Sequence, residues 1–340
     1  MPTNSISGSL GAAGAGATVF LTLNITGGDS SGYAGLWMEQ AETVADGSGN
    51  YSFAGLTSNP FDFLGVSTNG SVVGYRITPV LFGAEFTPFS SDQVLSGSDI
   101  TGVNFSVSSY YSLVQEYVAD FSGTHNPLPN WTQVSDDPTG LQTVGGLCQA
   151  LGDDTDNTSP SGAYPSAYIP SSADCYSKSV ISALNDQDLL AAEIRADSSA
   201  ASLGFGIEYY GSAGTPNDGG LQVLDIAANN ALMTGLGFLN VGTFPHTWQI
   251  GDAVILITRG QNTYAFLNPA AAPSTYIPLG GGTSTNSPAV GFMPIQIDVA
   301  TSDFTTSSWS AFSAGKVVAA SPGSGGGSSC MGLLRLLGVN

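Results

Sequence analysis

The chain has 340 residues, enough for two domains or for one large β domain with appendages. Hydrophobic residues make up 42% of it, which argues against wholesale disorder. Acidic residues outnumber basic ones 26 to 6, giving a net charge of −20, so nucleic acids and anionic membranes, which bind Lys/Arg patches, are not expected as partners.

The composition also predicts where the protein acts. Lysine is nearly absent while Gly, Ser, Thr and Asn are abundant, a pattern typical of secreted and virion-surface β proteins. No apolar run approaches the roughly 18 residues of a membrane span. Residues 1–5 lack the basic and apolar regions of a signal peptide, so we expect either a removed signal or another route of export. The predicted location is extracellular or on a virion surface.

Residues 1–108 read as short strands between Gly- and Ser-rich turns, without a helical period. Asp46-Gly47 and Ser48-Gly49-Asn50 supply the positive-φ residues of a tight turn. This turn predicts a hairpin between Glu42–Ala45 and Tyr51–Ala54. The other predicted strands here are Ser5–Leu10, Ala17–Leu23, Val72–Val80, Gly83–Pro88 and Val103–Val107.

Five segments of this region occur in a recognisable order: Gly16–Val19, Ala45–Leu56, Tyr75–Pro79, Phe86–Pro88 and Gly102–Phe105. In order and spacing they resemble carboxypeptidase regulatory-like domains and the related collagen-adhesin B-type modules. The resemblance implies a prealbumin-like β-sandwich over residues 1–108 that acts as a spacer without chemistry of its own. The sequence departs from it at Thr57–Val73, which forms a longer and more apolar connection.

A second β region follows an ordered connection. Residues 109–118 contain neither Pro nor Gly, so they predict a connecting strand rather than a floppy linker. Beyond it, residues 119–315 alternate strands and turns. The predicted strands are Thr139–Val144 (as a hairpin), Tyr176–Leu184, Leu189–Arg195, Gly204–Tyr210, Leu221–Ile226, Thr247–Ile250, Ala253–Arg259, Thr263–Leu267, Val290–Ile297 and Asp303–Phe312.

A second resemblance rests on the opening segment Asp120–Trp131 and the closing segment Asp303–Trp309. With the strand order between them, they resemble the concanavalin-like and laminin-G-like jelly rolls of secreted bacterial and phage proteins. The resemblance implies that residues 119–315 form a jelly roll. The predicted fold class is therefore all-β, with two tandem β-sandwich domains.

Residues 316–340 change character. Ser321–Ser329 has the composition of a flexible Gly/Ser linker, and an apolar tail follows it. The tail either folds back on its own domain or inserts into a neighbouring protomer. Its apolar residues are Leu333, Leu334, Leu336, Leu337 and Val339.

Three cysteines allow at most one internal disulfide. Cys148 and Cys175 lie in neighbouring strand-like segments, so they form either a bridge or two buried free thiols. The absence of a Cys-x-x-Cys pair makes a zinc site unexpected.

One acidic segment offers calcium ligands, although no cofactor is otherwise indicated. Asp153, Asp154, Asp156 and Asn157 gather hard oxygen ligands, and jelly rolls of the resembled type often hold a structural calcium. The alternative is a solvated acidic turn. Asp120 and Asp303 form a second possible pair.

Catalysis is not expected. Gly28–Gly32 matches the Gly-x-Ser-x-Gly pattern of serine nucleophiles, which need a histidine base. Both histidines lie in the other predicted domain, so we interpret this segment as a surface loop. Glu193 and Glu208 fall on predicted strands, but such pairs arise by chance among 26 acids. The aromatic residues either stack on sugar rings or, as we favour, fill a core. They are Trp131, Trp248, Trp309, Tyr209 and Tyr210.

These features predict a non-enzymatic structural protein of an extracellular or virion-surface assembly, such as a fibre, filament or decoration layer. Its partners would be further copies of itself or other surface proteins. The alternative function is an adhesive protein whose jelly roll binds a glycan.

Overall fold

The computed structural model describes residues 4–26, 37–56, 71–133, 140–151, 161–183, 189–195, 205–210, 221–225, 231–232, 249–283, 290–293, 295–298 and 307–321. Within these ranges the regular structure is 22 β-strands and a 3-10 turn at Ala12–Gly14, which confirms the all-β class. No helix in this part of the chain has the length and apolarity needed to cross a bilayer. The chain divides into two compact units, residues 1–112 with 318–340 and residues 113–317.

The first unit contains two antiparallel sheets. One is the β1–β4 pair, and the other has the order β3-β2-β5-β7, while β6 pairs with β8. The prealbumin-like arrangement stays a prediction. The strands are β1 (Asn4–Ser9), β2 (Thr18–Thr26), β3 (Trp37–Val44), β4 (Asn50–Leu56), β5 (Ser71–Val80), β6 (Ala84–Thr87), β7 (Ser91–Gln93) and β8 (Ser106–Val118), which ends in the second unit.

The side chains of β4 point alternately into the core of the first unit and towards solvent. Tyr51 and Phe53 face this core, while their neighbours in the strand are exposed. The Tyr51 hydroxyl is buried, and it donates to the main-chain carbonyl of Val103 at 2.6 Å. The other large members of this core are Ile6, Leu10, Val19, Leu21, Leu56, Tyr75, Ile77, Phe86 and Phe105.

The predicted turn forms, but the predicted hairpin is wrong. Gly49 has a φ of 83°, and the Asp46 carboxylate accepts the main-chain N–H groups of Ser48 and Asn50, both at 2.8 Å. Beyond the turn, β3 pairs with β2, whereas β4 pairs with β1. The turn therefore passes the chain from one sheet to the other, because both sheets supply residues to the shared core.

The second unit is built from two sheets that we name the back sheet and the front sheet. The back sheet has the order β10-β11-β22-β13-β18-β19-β20, and β8 also pairs with β22. The front sheet has the order β17-β16-β15-β14-β21-β12-β9. The remaining strands are β9 (Trp131–Gln133), β10 (Leu141–Val144), β11 (Leu147–Ala150), β12 (Ser161–Pro165), β13 (Cys175–Ala183), β14 (Leu189–Ile194), β15 (Phe205–Tyr210), β16 (Leu221–Asp225), β17 (Ala231–Leu232), β18 (Ala253–Arg259), β19 (Asn262–Asn268), β20 (Ile277–Thr283), β21 (Ile295–Asp298) and β22 (Ser308–Ala320).

A single apolar core receives side chains from both of these sheets, so the second unit is a β-sandwich. Trp309 is its largest fully buried side chain, which confirms the core interpretation for this tryptophan. Because β22 continues to Ala320, the segment 316–320 is strand and not linker. The core includes Leu190, Ala192, Ile194, Ile295 and Ile297 from the front sheet, and Val254, Leu256, Ala265, Leu267 and Phe312 from the back sheet.

Candidate functional site

The front sheet has a second face, which points away from the core. Ala192 of β14 and Ala163 of β12 both pair with Ile295 of β21, and all three face the core. Since successive residues of a strand alternate between faces, Glu193, which follows Ala192, and Tyr164, which follows Ala163, lie on the outer face. They lie in one row, two strands apart, at about 9–10 Å by strand spacing.

An aromatic pair occupies one end of this row. The rings of Tyr164 and Phe292 stack with centroids 4.1 Å apart and planes inclined by 26°. Tyr164 is only 7% exposed while Phe292 is half-buried, and the two form a cluster separate from the main core. Phe292 precedes Met293, which is buried in the main core. The partly accessible ring at this point of the outer face is therefore that of Phe292.

Glu193 is the buried carboxylate of the outer face. Its residue is 4% exposed although it does not point into the core. Burying a carboxylate is costly unless polar groups surround it, so we expect polar partners around the Glu193 side chain.

The strand register gives further polar positions on the outer face. One row crosses β16, β15, β14, β21 and β12 through Gln222, Glu208, Ala191, Gln296 and Gly162 in that order. Four strand spacings make this row about 19 Å long. It lies two residues along each strand from the row of Glu193, so both rows belong to the outer face.

The sequence places Glu193 and Glu208 on strands, and the structure brings them to neighbouring strands of one face. Glu208 pairs with Ala191, and Glu193 pairs with Gly206, so the two glutamates occupy diagonal positions. Diagonal positions lie about 7–8 Å apart. The site thus combines two acidic positions, two amide positions and one aromatic pair.

The outer face of the back sheet has a different character. Val254 and Leu256 of β18 face the core, so Ile255 and Ile257 point the other way. On β19, Tyr264 and Phe266 likewise alternate with core residues, and all four outer residues are at most 1% exposed. These four residues are apolar or aromatic and buried, while Lys178, which pairs with Ile255 and so lies on the same face, donates to the side-chain oxygen of Asn268 at 2.9 Å.

A second aromatic group lies where β8 meets the end of the sandwich. Tyr117 and Tyr168 stack at 5.0 Å, and Trp131 contacts Tyr117 and Phe312 edge to face. The rings of Tyr117, Trp131 and Tyr168 are half-buried and pack against the main core. Their contacts identify them as the closing layer of the sandwich, as the core interpretation of Trp131 predicts.

Glu116 fastens this closing layer. Its carboxylate accepts hydrogen bonds from the Ser171 hydroxyl and from the Tyr168 hydroxyl at 3.2 Å, and it pairs with Lys316 at 3.4 Å. Burial opposes ionisation of Glu116, but these hydrogen bonds outweigh it and hold the pKa of Glu116 below its usual value. The carboxylate is engaged on several sides by the protein itself, which indicates a structural role.

Of the two alternatives for the cysteines, the structure has the second. Cys148 and Cys175 are both buried free thiols. Cys148 pairs with Trp309, whereas Cys175 pairs with Lys316, seven residues further along the same strand β22. Seven residues of strand span about 23 Å, far beyond the 4.4–6.8 Å between α-carbons of a disulfide.

Several predicted site residues lie outside the described residues. These are the calcium candidates Asp153, Asp154, Asp156 and Asn157, as well as Asp303, His246, Trp248, the Gly28–Gly32 pattern and the apolar tail with Leu333, Leu334, Leu336, Leu337 and Val339. Asp120 is described, and its carboxylate accepts the main-chain N–H of Ser122 at 2.8 Å. In the described ranges no three His, Cys, Asp or Glu residues come together as metal ligands.

No protein-family model and no curated protein matches the chain. Among solved structures it is similar to the carbohydrate binding module CBM66 from Bacillus subtilis, with 11% identity, a TM-score of 0.32 and coverage of 56% of this chain and 96% of that one. It is also similar to β-agarase A in complex with oligoagarose, with 12% identity, a TM-score of 0.43 and coverage of 62% and 94%. A protein of unknown function with a galectin-like fold from Bacillus subtilis shows 11% identity, a TM-score of 0.40 and coverage of 61% and 99%. Since all three TM-scores are below 0.5, these likenesses carry no argument about this chain.

Proposed function

We propose that the second unit binds a carbohydrate on the outer face of its front sheet. The observation that carries this proposal is the row in which Glu193, a buried carboxylate outside the core, lies about 9–10 Å from the Tyr164–Phe292 aromatic pair. An extracellular or surface location, as the composition predicts, fits such a ligand.

The chemistry of a sugar ring matches both parts of this row. A pyranose has an apolar C–H face, which stacks on an aromatic ring, and a rim of hydroxyls, which donate and accept hydrogen bonds. Phe292 supplies a partly accessible ring, and its stacking on Tyr164 holds it in place. Glu193 contributes a carboxylate to this row, and the register adds Gln296 as an amide position one row away.

The proposal assigns no bond cleavage to the site. Glycoside hydrolysis needs two carboxyl groups on either side of the scissile bond, one of them protonated. Glu193 and Glu208 occupy diagonal positions on one face, and in this account Glu193 acts as a hydrogen-bond acceptor. We therefore expect bound oligosaccharides to be recovered intact.

The assembly role that the sequence predicts depends on residues 330–340. These lie outside the described residues, so polymerisation through the tail stays a prediction. Deletion of residues 330–340 with electron microscopy of the product is its test, and it is independent of glycan binding.

The proposed function is tested by isothermal titration calorimetry of the full chain with β-linked hexasaccharides of glucose, galactose, mannose and xylose. Phe292→Ala should weaken binding about tenfold, because loss of an aromatic contact costs about 0.5–1.5 kcal/mol beyond area burial. Phe82→Ala is the matched control, since Phe82 is a half-buried ring that packs on Tyr111 in the first unit.

The control variant should bind like the unaltered chain. Binding of none of the four hexasaccharides would refute the proposed function. So would equal weakening by Phe292→Ala and Phe82→Ala in proteins with native circular dichroism spectra.

A further inference from the structure

The row that joins Glu193 to Tyr164 continues to the edge of the front sheet. Thr132 of β9 pairs directly with Tyr164 of β12, so both residues lie on the outer face. Directly opposed residues of antiparallel strands have β-carbons about 4.5–5.5 Å apart. The row therefore runs from Glu193 past the aromatic pair to Thr132, and its three strand spacings cover about 14 Å.

Two hydroxyl groups lie side by side at this edge. The hydroxyl oxygens of Thr132 and Ser166 are 2.8 Å apart, so one hydroxyl donates a hydrogen bond to the other. Both residues are exposed, whereas Tyr164, which pairs with Thr132, is buried. The hydroxyl pair is therefore accessible from solvent next to the partly accessible ring of Phe292, which stacks on Tyr164.

The main chain fixes the position of Ser166 relative to Thr132. The N–H of Ser166 donates to the carbonyl of Asn130 at 2.9 Å, which extends the pairing of β12 with β9 beyond Pro165. The N–H of Tyr168 donates to the carbonyl of Pro165 at 3.4 Å and closes a turn that contains Ser166. The two hydroxyls are thus held on backbone that is already ordered, as a binding site requires.

A hydrogen-bonded pair of hydroxyls can both donate to a ligand and accept from it. Each hydroxyl has one O–H donor and two lone pairs, and the bond within the pair uses one donor and one lone pair. The second O–H and the other lone pairs are open to solvent, because both residues are exposed. Neighbouring hydroxyls on a sugar ring have the same combination of donors and acceptors, so they match such a pair.

The topology gives the direction in which a bound sugar chain would continue. In the described part of the chain, β9 is the last strand of the front sheet on this side. A ligand that follows the row from Glu193 to Thr132 therefore crosses the strands and reaches the edge of the sheet without meeting another strand.

We propose that the Thr132–Ser166 hydroxyl pair is a second contact point for the glycan. A sugar ring stacks on Phe292, the pair binds two neighbouring hydroxyls of the sugar chain, and the chain continues past the β9 edge. This inference rests on the proposed function and assigns the path of the ligand across the same site.

The test is calorimetry of the full chain with whichever of the four hexasaccharides it binds. Thr132→Val removes the hydroxyl and keeps the shape of the side chain, so it should weaken binding about two- to tenfold, the usual effect of losing one uncharged hydrogen bond. Ser166→Ala should weaken binding by a similar factor. Thr132→Ser keeps a hydroxyl at this position and should bind like the unaltered chain.

Thr283→Val is the matched control. Thr283 is an exposed threonine on β20 of the back sheet, and its hydroxyl donates to the side-chain oxygen of Asn262 at 3.0 Å. This variant should leave the affinity unchanged. All four variants alter exposed side chains, so their melting temperatures should match that of the unaltered chain.

The outcomes separate this inference from the proposed function. Equal affinities for Thr132→Val and Thr283→Val, in a chain whose binding Phe292→Ala still weakens, would overturn the inference and leave the proposed function in place. Equal weakening by Thr132→Ser and Thr132→Val would also overturn it, because the hydroxyl would then not be the group that binds. If none of the hexasaccharides binds, the proposed function fails and the inference fails with it.

Discussion

The Arg195 side chain donates through Nε to the main-chain carbonyl of Ala173 at 2.8 Å and through a terminal nitrogen to that of Gly260 at 2.7 Å. Arg195 follows β14 of the front sheet, Ala173 precedes β13, and Gly260 follows β18 of the back sheet. One buried guanidinium therefore joins the two sheets at the end of the sandwich. Arg195 also has a φ of 62°, which turns the chain at this point.

Arg195→Lys should destabilise the second unit by about 2–4 kcal/mol, because an ammonium lacks the planar fork that reaches both carbonyls. The carbonyl of Gly260 then loses the Arg195 donor, while that of Ala173 keeps the Thr258 hydroxyl at 3.2 Å. Urea unfolding measures this loss. Arg76→Lys is the control, since its ion pair with Asp92 is partly exposed and exposed pairs contribute about 0–1 kcal/mol. Similar losses of unfolding free energy for both variants would contradict the role of Arg195 in joining the two sheets.

Gly49→Ala should destabilise the first unit. The φ of 83° costs a residue with a side chain roughly 1–3 kcal/mol, and an added β-carbon would lie 2.0 Å from the Gly11 carbonyl oxygen. Gly47→Ala is the control, because a β-carbon there meets no atom within 4 Å. Thermal melting should show a large drop for Gly49→Ala and almost none for Gly47→Ala. Equal melting temperatures would refute the assignment of the turn.

The two buried thiols should behave as unreactive cysteines. In a Cys330→Ser variant, Cys148 and Cys175 should resist Ellman's reagent while the protein is folded and react fully in denaturant, because burial hides both thiols. Reducing agent should leave the melting temperature unchanged. A linked Cys148–Cys175 peptide in mass spectrometry would contradict this account.

Stability should fall at alkaline pH. Burial raises the pKa of Cys175 to about 11, whereas an unfolded cysteine ionises near 8.5. The unfolded state therefore loses its proton first, so stability is complete below about pH 8.5 and declines as the pH rises to about 11. Cys175 alone accounts for about 3 kcal/mol of that loss. Cys175→Ala should reduce the fall in melting temperature between pH 9 and 11 without abolishing it, because burial also raises the pKa of Cys148. An unchanged slope would contradict the assignment.

Strands with many β-branched and aromatic residues could be predicted from the sequence. Ala253–Arg259 is predicted with the same bounds as β18, because Val, Ile and Thr favour strands and flanking glycines mark its ends. Several strands were not predicted, among them β12 and β20. Ser161–Pro165 contains only small residues and one tyrosine before a proline, and Ile277–Thr283 contains three consecutive glycines.

The hairpin error shows what local signals omit. The Asp46–Asn50 turn carries all the residues of a hairpin turn, yet pairing is decided by which strands bury the flanking apolar residues. For a related reason the sequence could not decide between a disulfide and two free thiols at Cys148 and Cys175. Proximity of two predicted strands says nothing of their register, and here the register separates the thiols by about seven residues of strand.

The candidate site was only partly predictable. Met293, Ile295 and Ile297 alternate with Phe292, Gln296 and Asp298, so the sequence already assigns these residues to opposite faces. Which residues they meet depends on the pairing of β21 with β14 and β12, both of which lie more than 100 residues earlier in the chain. The row that joins Glu193 to Tyr164 therefore emerges only from the sheet topology.

The most direct test of carbohydrate binding on the front sheet is hydrogen–deuterium exchange of the full chain with and without a bound neutral hexasaccharide. The account predicts slower exchange in peptides covering β12, β14 and the segment 290–298, and unchanged exchange in β2 and β5 of the first unit. Protection confined to the first unit, or to the closing layer around Tyr117 and Tyr168, would contradict the placement of the site on this face.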